Sequence, residues 1–244
     1  MIYEKQLLIN DTYLSTDKLA DNFTNFVDPD VTRLVGSRRE KKVTEIILHE
    51  TVTVNTGITI GVLKKRNLGV HFIVGPHGDI TQHGDPVLDQ LAHAGWPHNG
   101  LSVGIEIVNP YYPAYNSDGP WDTVLDARWA HKKKYVVPLP DQLEATYQLV
   151  TRLLEINTPE FHVKDKWVGL DAKRKRLAMA RVTGAKYPMG GVMAHAAFGH
   201  ADGSFPLLYC ILRKEAEMNQ VTAHAIAQCL ANTDKWWADL SRVL

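Results

Sequence analysis

Val43-Thr44-Glu45-Ile46-Ile47-Leu48-His49 is a short, β-branched and apolar run that closes on a histidine. A run of this kind reads as a buried strand, because branched side chains fit the pleat and nothing polar interrupts it. A histidine at its carboxyl end is held on a rigid base. Further along, Val70-His71-Phe72-Ile73-Val74 predicts a second strand. Pro76-His77-Gly78-Asp79 then supplies tight-turn chemistry before Ile80-Thr81-Gln82-His83, so these two segments form a hairpin. Residues 90–93 and the run Ser102-Val103-Gly104-Ile105-Glu106-Ile107-Val108 are further strands, the latter stopped by Asn109-Pro110.

Helices fall between and after these strands. Residues 59–65, closed by Asn67 and Gly69, predict a short one. Asp141 with Glu144 three positions on resembles a capping box, and Leu143, Tyr147, Val150, Leu153 and Leu154 recur at helical spacing, which predicts a helix over 141–156. Residues 110–140 hold five of the twelve prolines and the basic run His131-Lys132-Lys133-Lys134, a loop composition. Residues 158–190 are again irregular and basic. Residues 192–195 predict a last strand, and 206–217 and 221–243 two helices with apolar faces. Interleaved strands and helices define a mixed α/β domain. The reading is one domain over 1–244: a surface-packed lead-in at 1–40, a core at 43–210 and a helical tail at 211–244.

Composition narrows the function. A chain of 244 residues buries enough surface for a core without staples. Its 27 basic and 27 acidic residues cancel, which argues against nucleic acid as the partner. Two cysteines, Cys210 and Cys229, do not make a disulfide scaffold. The first residues lack the pattern of a signal peptide, and no apolar run is long enough to span a membrane.

Eleven histidines are many for this length. His77 and His83 flank a turn and read as solvated surface. His49 and His195 end apolar strands, and Asp202 lies in the small-residue segment that follows His195. Two imidazoles and a carboxylate leave one open position on a tetrahedral zinc ion, the arrangement of a catalytic site. Cys210 sits at an apolar helix start and reads as core rather than as the nucleophile of a Cys–His pair. Trp96, Trp121, Trp129, Tyr111, Tyr112 and Tyr115 are candidates either for a groove that stacks sugar or peptide or for packing.

Taken in order, Ile46-Ile47-Leu48-His49, Gly69-Val70-His71-Phe72-Ile73-Val74, Gly78-Asp79-Ile80-Thr81-Gln82, His93-Ala94-Gly95 and Ser102-Val103-Gly104-Ile105-Glu106-Ile107 resemble the zinc-dependent N-acetylmuramoyl-L-alanine amidases and peptidoglycan recognition proteins. The resemblance runs from about residue 43 to 210. It implies a mixed sheet with helices packed on it, a Zn2+ site of His49, His195 and Asp202, and a peptidoglycan or muropeptide substrate cut between N-acetylmuramic acid and L-Ala. It also implies Glu106 as the base that takes a proton from water. His200 occupies the place of a family lysine, where it would stabilise an oxyanion. Trp96 is assigned to the substrate side, and His71 and His93 either to the substrate side or to packing and hydrogen bonding behind the site. The spacing of seven from His195 to Asp202 is short for the family, so a rival assignment has His200 on the metal and Asp202 elsewhere. Two further readings stay open, a muropeptide-binding module that does not cut and a zinc peptidase on the same scaffold. Without a signal peptide, the resemblance fits an endolysin released through a holin, a virion or secretion-system cargo, or a cytoplasmic recycling enzyme.

Overall fold

The computed structural model describes residues 3–4, 6–15, 23–25, 34–37, 42–116, 119–127, 129–130, 133–171 and 176–215. The expected helix over 221–243 lies outside them. The strands are β1 (Tyr3–Glu4), β2 (Gln6–Ile9), β3 (Thr12–Ser15), β4 (Phe23–Asn25), β5 (Leu34–Ser37), β6 (Glu45–Glu50), β7 (Phe72–Val74), β8 (Ile80–Gln82), β9 (Asp89–Leu91), β10 (Ser102–Ile107), β11 (Val124–Asp126), β12 (Lys134–Val136), β13 (Leu170–Asp171), β14 (Arg176–Leu177) and β15 (Gly191–Ala194). The helices are α1 (Thr56–Arg66), α2 (Pro140–Leu154) and α3 (Ser204–Glu215).

A mixed sheet in the order β1-β4-β8-β7-β10-β6-β15 runs through the molecule, with helices packed on it. Its centre is parallel: β6 pairs with both β10 and β15, and β10 with β7. The predicted hairpin is the antiparallel pair β7–β8. All six residues of β6 are buried, so its two faces cannot be told apart from hydropathy. Packing tells them apart. Ile46, Leu48, Phe72, Val74, Val103, Ile105, Ile107, Val192 and Ala194 meet Leu143, Leu149 and Leu153 of α2 and Phe205, Leu208 and Ile211 of α3 in the main core. On the other face Leu63 of α1 packs with Ile73 and Val108.

Local chemistry accounts for the helix ends. Asn55 caps α1, its side chain accepting from Ile58 N at 2.8 Å, and Asn67 closes it at φ 57°. The capping box expected at Asp141 and Glu144 is not formed. Leu139 is the N-cap without a side-chain bond, and Pro140 opens α2. Glu144 instead accepts from Tyr209 Oη at 2.9 Å and Arg213 Nε at 3.0 Å, joining α2 to α3.

The lead-in is not a surface wrap. β1 and β4 extend the sheet, β5 pairs with β9, and Leu7 and Ile9 enter the core. Gln82 fixes them by accepting from Leu8 N and donating to Leu8 O, at 3.0 and 2.7 Å. His83, expected at the surface, is fully buried beside Thr81 Oγ1 at 2.8 Å. The stretch 110–140 contains the hairpin β11–β12.

At the carboxyl ends of the parallel strands, buried Gln142 reaches from α2 and donates through Nε2 to Val108 O at 2.8 Å and Val74 O at 3.2 Å. Gln142→Leu leaves the Val108 carbonyl buried without that donor, and denaturant unfolding should show a loss of about 1–3 kcal/mol.

Candidate metal centre

Because β6, β10 and β15 are parallel, their carboxyl ends share one edge, where open α/β sheets place their ligands. Register sets Glu106 opposite His49, and His195 follows directly on β15. His195 begins a short 3-10 turn that ends at Gly199 with φ 117°. The chain then doubles back, with Ala196 N donating to Asp202 O at 2.9 Å. Gly203, at φ 82°, makes this possible, since a Cβ there would come within 2.0 Å of Leu48 O.

The result is convergence of three distant residues. His49, His195 and Asp202 are buried, and one donor atom from each lies within 4.8 Å of the others. His195 Nδ1 is 3.2 Å from Asp202 Oδ2, and His49 Nδ1 is 3.8 Å from the same oxygen. Asp202 Oδ1 also lies 3.2 Å from His195 Nδ1, but it is buried and takes no hydrogen bond of its own. Burial, then the imidazoles of His195, His93 and His200, hold His49 well below the ordinary histidine pKa, so it is neutral at pH 7. Two imidazoles, a carboxylate oxygen with no hydrogen bond of its own and no positive charge on His49 to repel a cation suit zinc.

His200 is not part of that group. It is exposed, and its ring stacks on His195 at 3.9 Å between centroids. Burial and the neighbouring His195 lower its pKa, so it too is neutral at pH 7.

The cleft above, about 710 Å³, is lined by His49, His93, Glu106, Tyr111, Tyr112 and Arg66 among others. Glu106 is partly exposed, yet its Oε2 is buried and unpaired. Burial, then the charge of Asp202, raise its carboxyl to about 8, against the pull of Arg66.

Other expected site residues stand elsewhere. His71 is fully buried: Gly104 N donates to its Nδ1 at 3.0 Å, and its Nε2 lies 3.2 Å from Asp89 O. With both ring nitrogens facing backbone, the ring does not face substrate. Trp96 is 74% exposed and outside the residues lining the cleft. Trp121 is core, Trp129 packs on Tyr135, and Cys210 is fully buried in α3.

Sequence reasoning missed Glu50. It is buried beside His49 at the floor of the cleft, accepting from Tyr135 Oη at 2.5 Å, Asn109 Nδ2 at 2.7 Å and Gly203 N at 2.8 Å. Burial outweighs these donors and lifts its pKa to about 7. Only its place after His49 marked it, and no spacing rule uses that.

A mixed sheet bearing His49 and His195 at the ends of its parallel strands, with Glu106 and Asp202 beside them, defines an α/β protein with a candidate metal centre in a cleft. A family profile described as N-acetylmuramoyl-L-alanine amidase matches residues 39–175, more than half of the chain, and the protein belongs to that family. The match takes in His49, His93 and Glu106, whereas His195, His200 and Asp202 lie beyond it. A search of curated proteins finds no match.

Among solved structures, the chain is similar to the endolysin N-acetylmuramoyl-L-alanine amidase LysCS from Clostridium intestinale, at 14% identity over 81% of this chain and 96% of that one, TM-score 0.45. It is also similar to the N-acetylmuramyl-L-alanine amidase AmiD from E. coli, at 16% identity over 89% and 100%, TM-score 0.37. A third is the Drosophila peptidoglycan recognition protein SA, at 17% identity over 50% and 65%, TM-score 0.32.

Glu106 gives a pH signature in the metal-free protein. Its pKa rises from 4.5 to about 8, so the folded state holds the proton more tightly and stability falls as pH rises between those values. Glu106→Gln should therefore melt higher than wild type at pH 8, by about 1–2 kcal/mol after solvent screening, and match it near pH 4.5.

Proposed function

We propose that the protein is a zinc-dependent amidase that hydrolyses the bond between N-acetylmuramic acid and L-Ala in peptidoglycan or its fragments. The observation that carries this reading is the buried convergence of His49, His195 and Asp202 below a cleft that also holds Glu106, in a chain of the N-acetylmuramoyl-L-alanine amidase family. A module that only binds muropeptides has no need of a complete donor set, which favours the enzyme over that alternative.

An amide is a poor electrophile, so cleavage needs an activated water, a stabilised oxyanion and a proton for the amine. His49, His195 and Asp202 would hold the metal. The chemistry such an ion supplies is Lewis acidity, which brings the pKa of water towards about 7 and polarises a carbonyl. Glu106, with a buried and unpaired Oε2, accepts the water proton and hands it to the leaving nitrogen. A carboxyl raised to about 8 is a stronger base than an ordinary glutamate and releases its proton readily to an amine. His200, stacked on His195 at the rim, donates an N–H to the developing oxyanion. Tyr111 and Tyr112 give the cleft an aromatic wall for sugar or peptide. Delivery to the cell wall by holin, virion or secretion system belongs to the same reading. Among the described residues no helix is long and apolar enough to cross a membrane.

The test is release of L-Ala amino termini from purified peptidoglycan, with zinc measured on the same samples. Chelation should abolish release and added zinc restore it. Glu106→Gln should retain zinc and lose about 100-fold or more in rate, and a near-normal rate rejects it as the base. His200→Ala should lower the rate with zinc unchanged; loss of zinc instead would place His200 on the metal. Zinc uptake without amine release from any wall preparation would leave the binding module as the reading.

A further inference from the structure

Ser102, His93 and His49 form a chain of hydrogen bonds whose direction can be read from its far end. Ser102 Oγ lies 2.7 Å from His98 O, a carbonyl that can only accept, so the single hydroxyl proton points there. At its other contact, 3.2 Å from His93 Nε2, the same oxygen must accept, and Nε2 therefore carries a proton. With one proton on the ring, His93 Nδ1 is bare. It lies 3.1 Å from His49 Nε2, which must then be the donor. The consequence falls on the opposite nitrogen of His49. Nδ1 is left without a proton, and it is the atom that faces Asp202 Oδ2 at 3.8 Å.

We propose that Ser102 and His93 are positioning residues that place the proton of His49 on Nε2 and so keep Nδ1 open as a metal donor. Two features built into the fold support the arrangement. Gly104 clears the space for the ring, since a Cβ there would stand 2.6 Å from His93 Nδ1. Asn99 Oδ1 accepts from His93 N at 3.1 Å and Ala94 N at 2.8 Å, which pins the backbone of the loop. A ligand histidine ordinarily gives its second N–H to a carboxylate, a carbonyl or water. Here a second imidazole takes that place, and the hydroxyl and carbonyl behind it set its polarity. Of the two roles the sequence left open for His93, this is the one behind the site, acting on the ligand. The inference rests on reading His49 as a metal ligand and is independent of the substrate.

The experiment uses the full chain, metal-free and 15N-labelled, at neutral pH. Long-range 1H–15N correlation should show His49 protonated on Nε2 and bare on Nδ1, and Ser102→Ala should shift it towards the other tautomer. Zinc affinity, measured by competition with a chromophoric chelator, should fall about 10–100-fold in Ser102→Ala and in His93→Phe. His93→Asn, whose Oδ1 stands near the former Nδ1, should keep most of the affinity. A wild-type His49 with its proton on Nδ1 overturns the proposal, as does unchanged affinity in both Ser102→Ala and His93→Phe. If His93→Phe does not fold, Ser102→Ala, which removes one oxygen, decides with the wild-type tautomer. Failure of the wild-type chain to take up zinc would overturn the metal-site reading, whereas the tautomer and its response to Ser102→Ala judge the relay separately.

Discussion

Glu50 accepts hydrogen bonds from three separate parts of the chain. Tyr135 comes from the β11–β12 hairpin, Asn109 from the end of β10, and Gly203 from the turn that carries Asp202. A carboxylate suits this position because it offers acceptors and no donor, so each neighbouring N–H or O–H finds a partner without competition. Burying it is costly, and the lift of its pKa to about 7 is the mark of that cost. In return the turn is held against the carboxyl end of β6. Asp202 Oδ2 comes within 3.5 Å of Glu50 N and 3.8 Å of His49 Nδ1. The convergence of His49 and Asp202 thus depends on a residue that is neither a candidate ligand nor the candidate base.

Alternation along the strands separates the two tasks. On β6, Ile46 and Leu48 face the helical core, and His49 the cleft. On β10, Val103, Ile105 and Ile107 face the core, while Ser102 and Gly104 meet the His93 ring and Glu106 lines the cleft. A slip of one residue in register would bury the chemistry in the core and turn the core outward. The apolar packing of α2 and α3 therefore fixes the site's geometry as well as the stability of the fold.

The central strands were legible because each carries a compact β-branched run, and α2 because its apolar residues recur at helical spacing. The lead-in strands were not, since strands of two to four residues and mixed polarity have no period to read. His49 and His195 could be singled out as polar residues at strand ends, and Glu106 through the family resemblance. Glu50 and Ser102 could not, because their value lies in partners brought from far along the chain. Asp141 and Glu144 show the opposite error. They satisfy a local capping pattern, but Glu144 has stronger partners in Tyr209 and Arg213, and Pro140 supplies the helix start without it.

The short spacing between His195 and Asp202 raised the question of which residue completes the donor group, and the turn geometry bears on it directly. A 3-10 turn followed by glycines at φ 117° and 82° reverses the chain within eight residues, which returns Asp202 beneath His195 and leaves His200 on the outer side of the bend. The stacked ring of His200 covers the exposed face of His195 and limits the orientations that ring can take. An imidazole can stack flat in this way, whereas a lysine cannot, and it contributes no fixed charge beside Arg66 at the cleft. Having His200 where the family resemblance leads one to expect a lysine therefore exchanges a permanent cation for a ring that stacks on its neighbour.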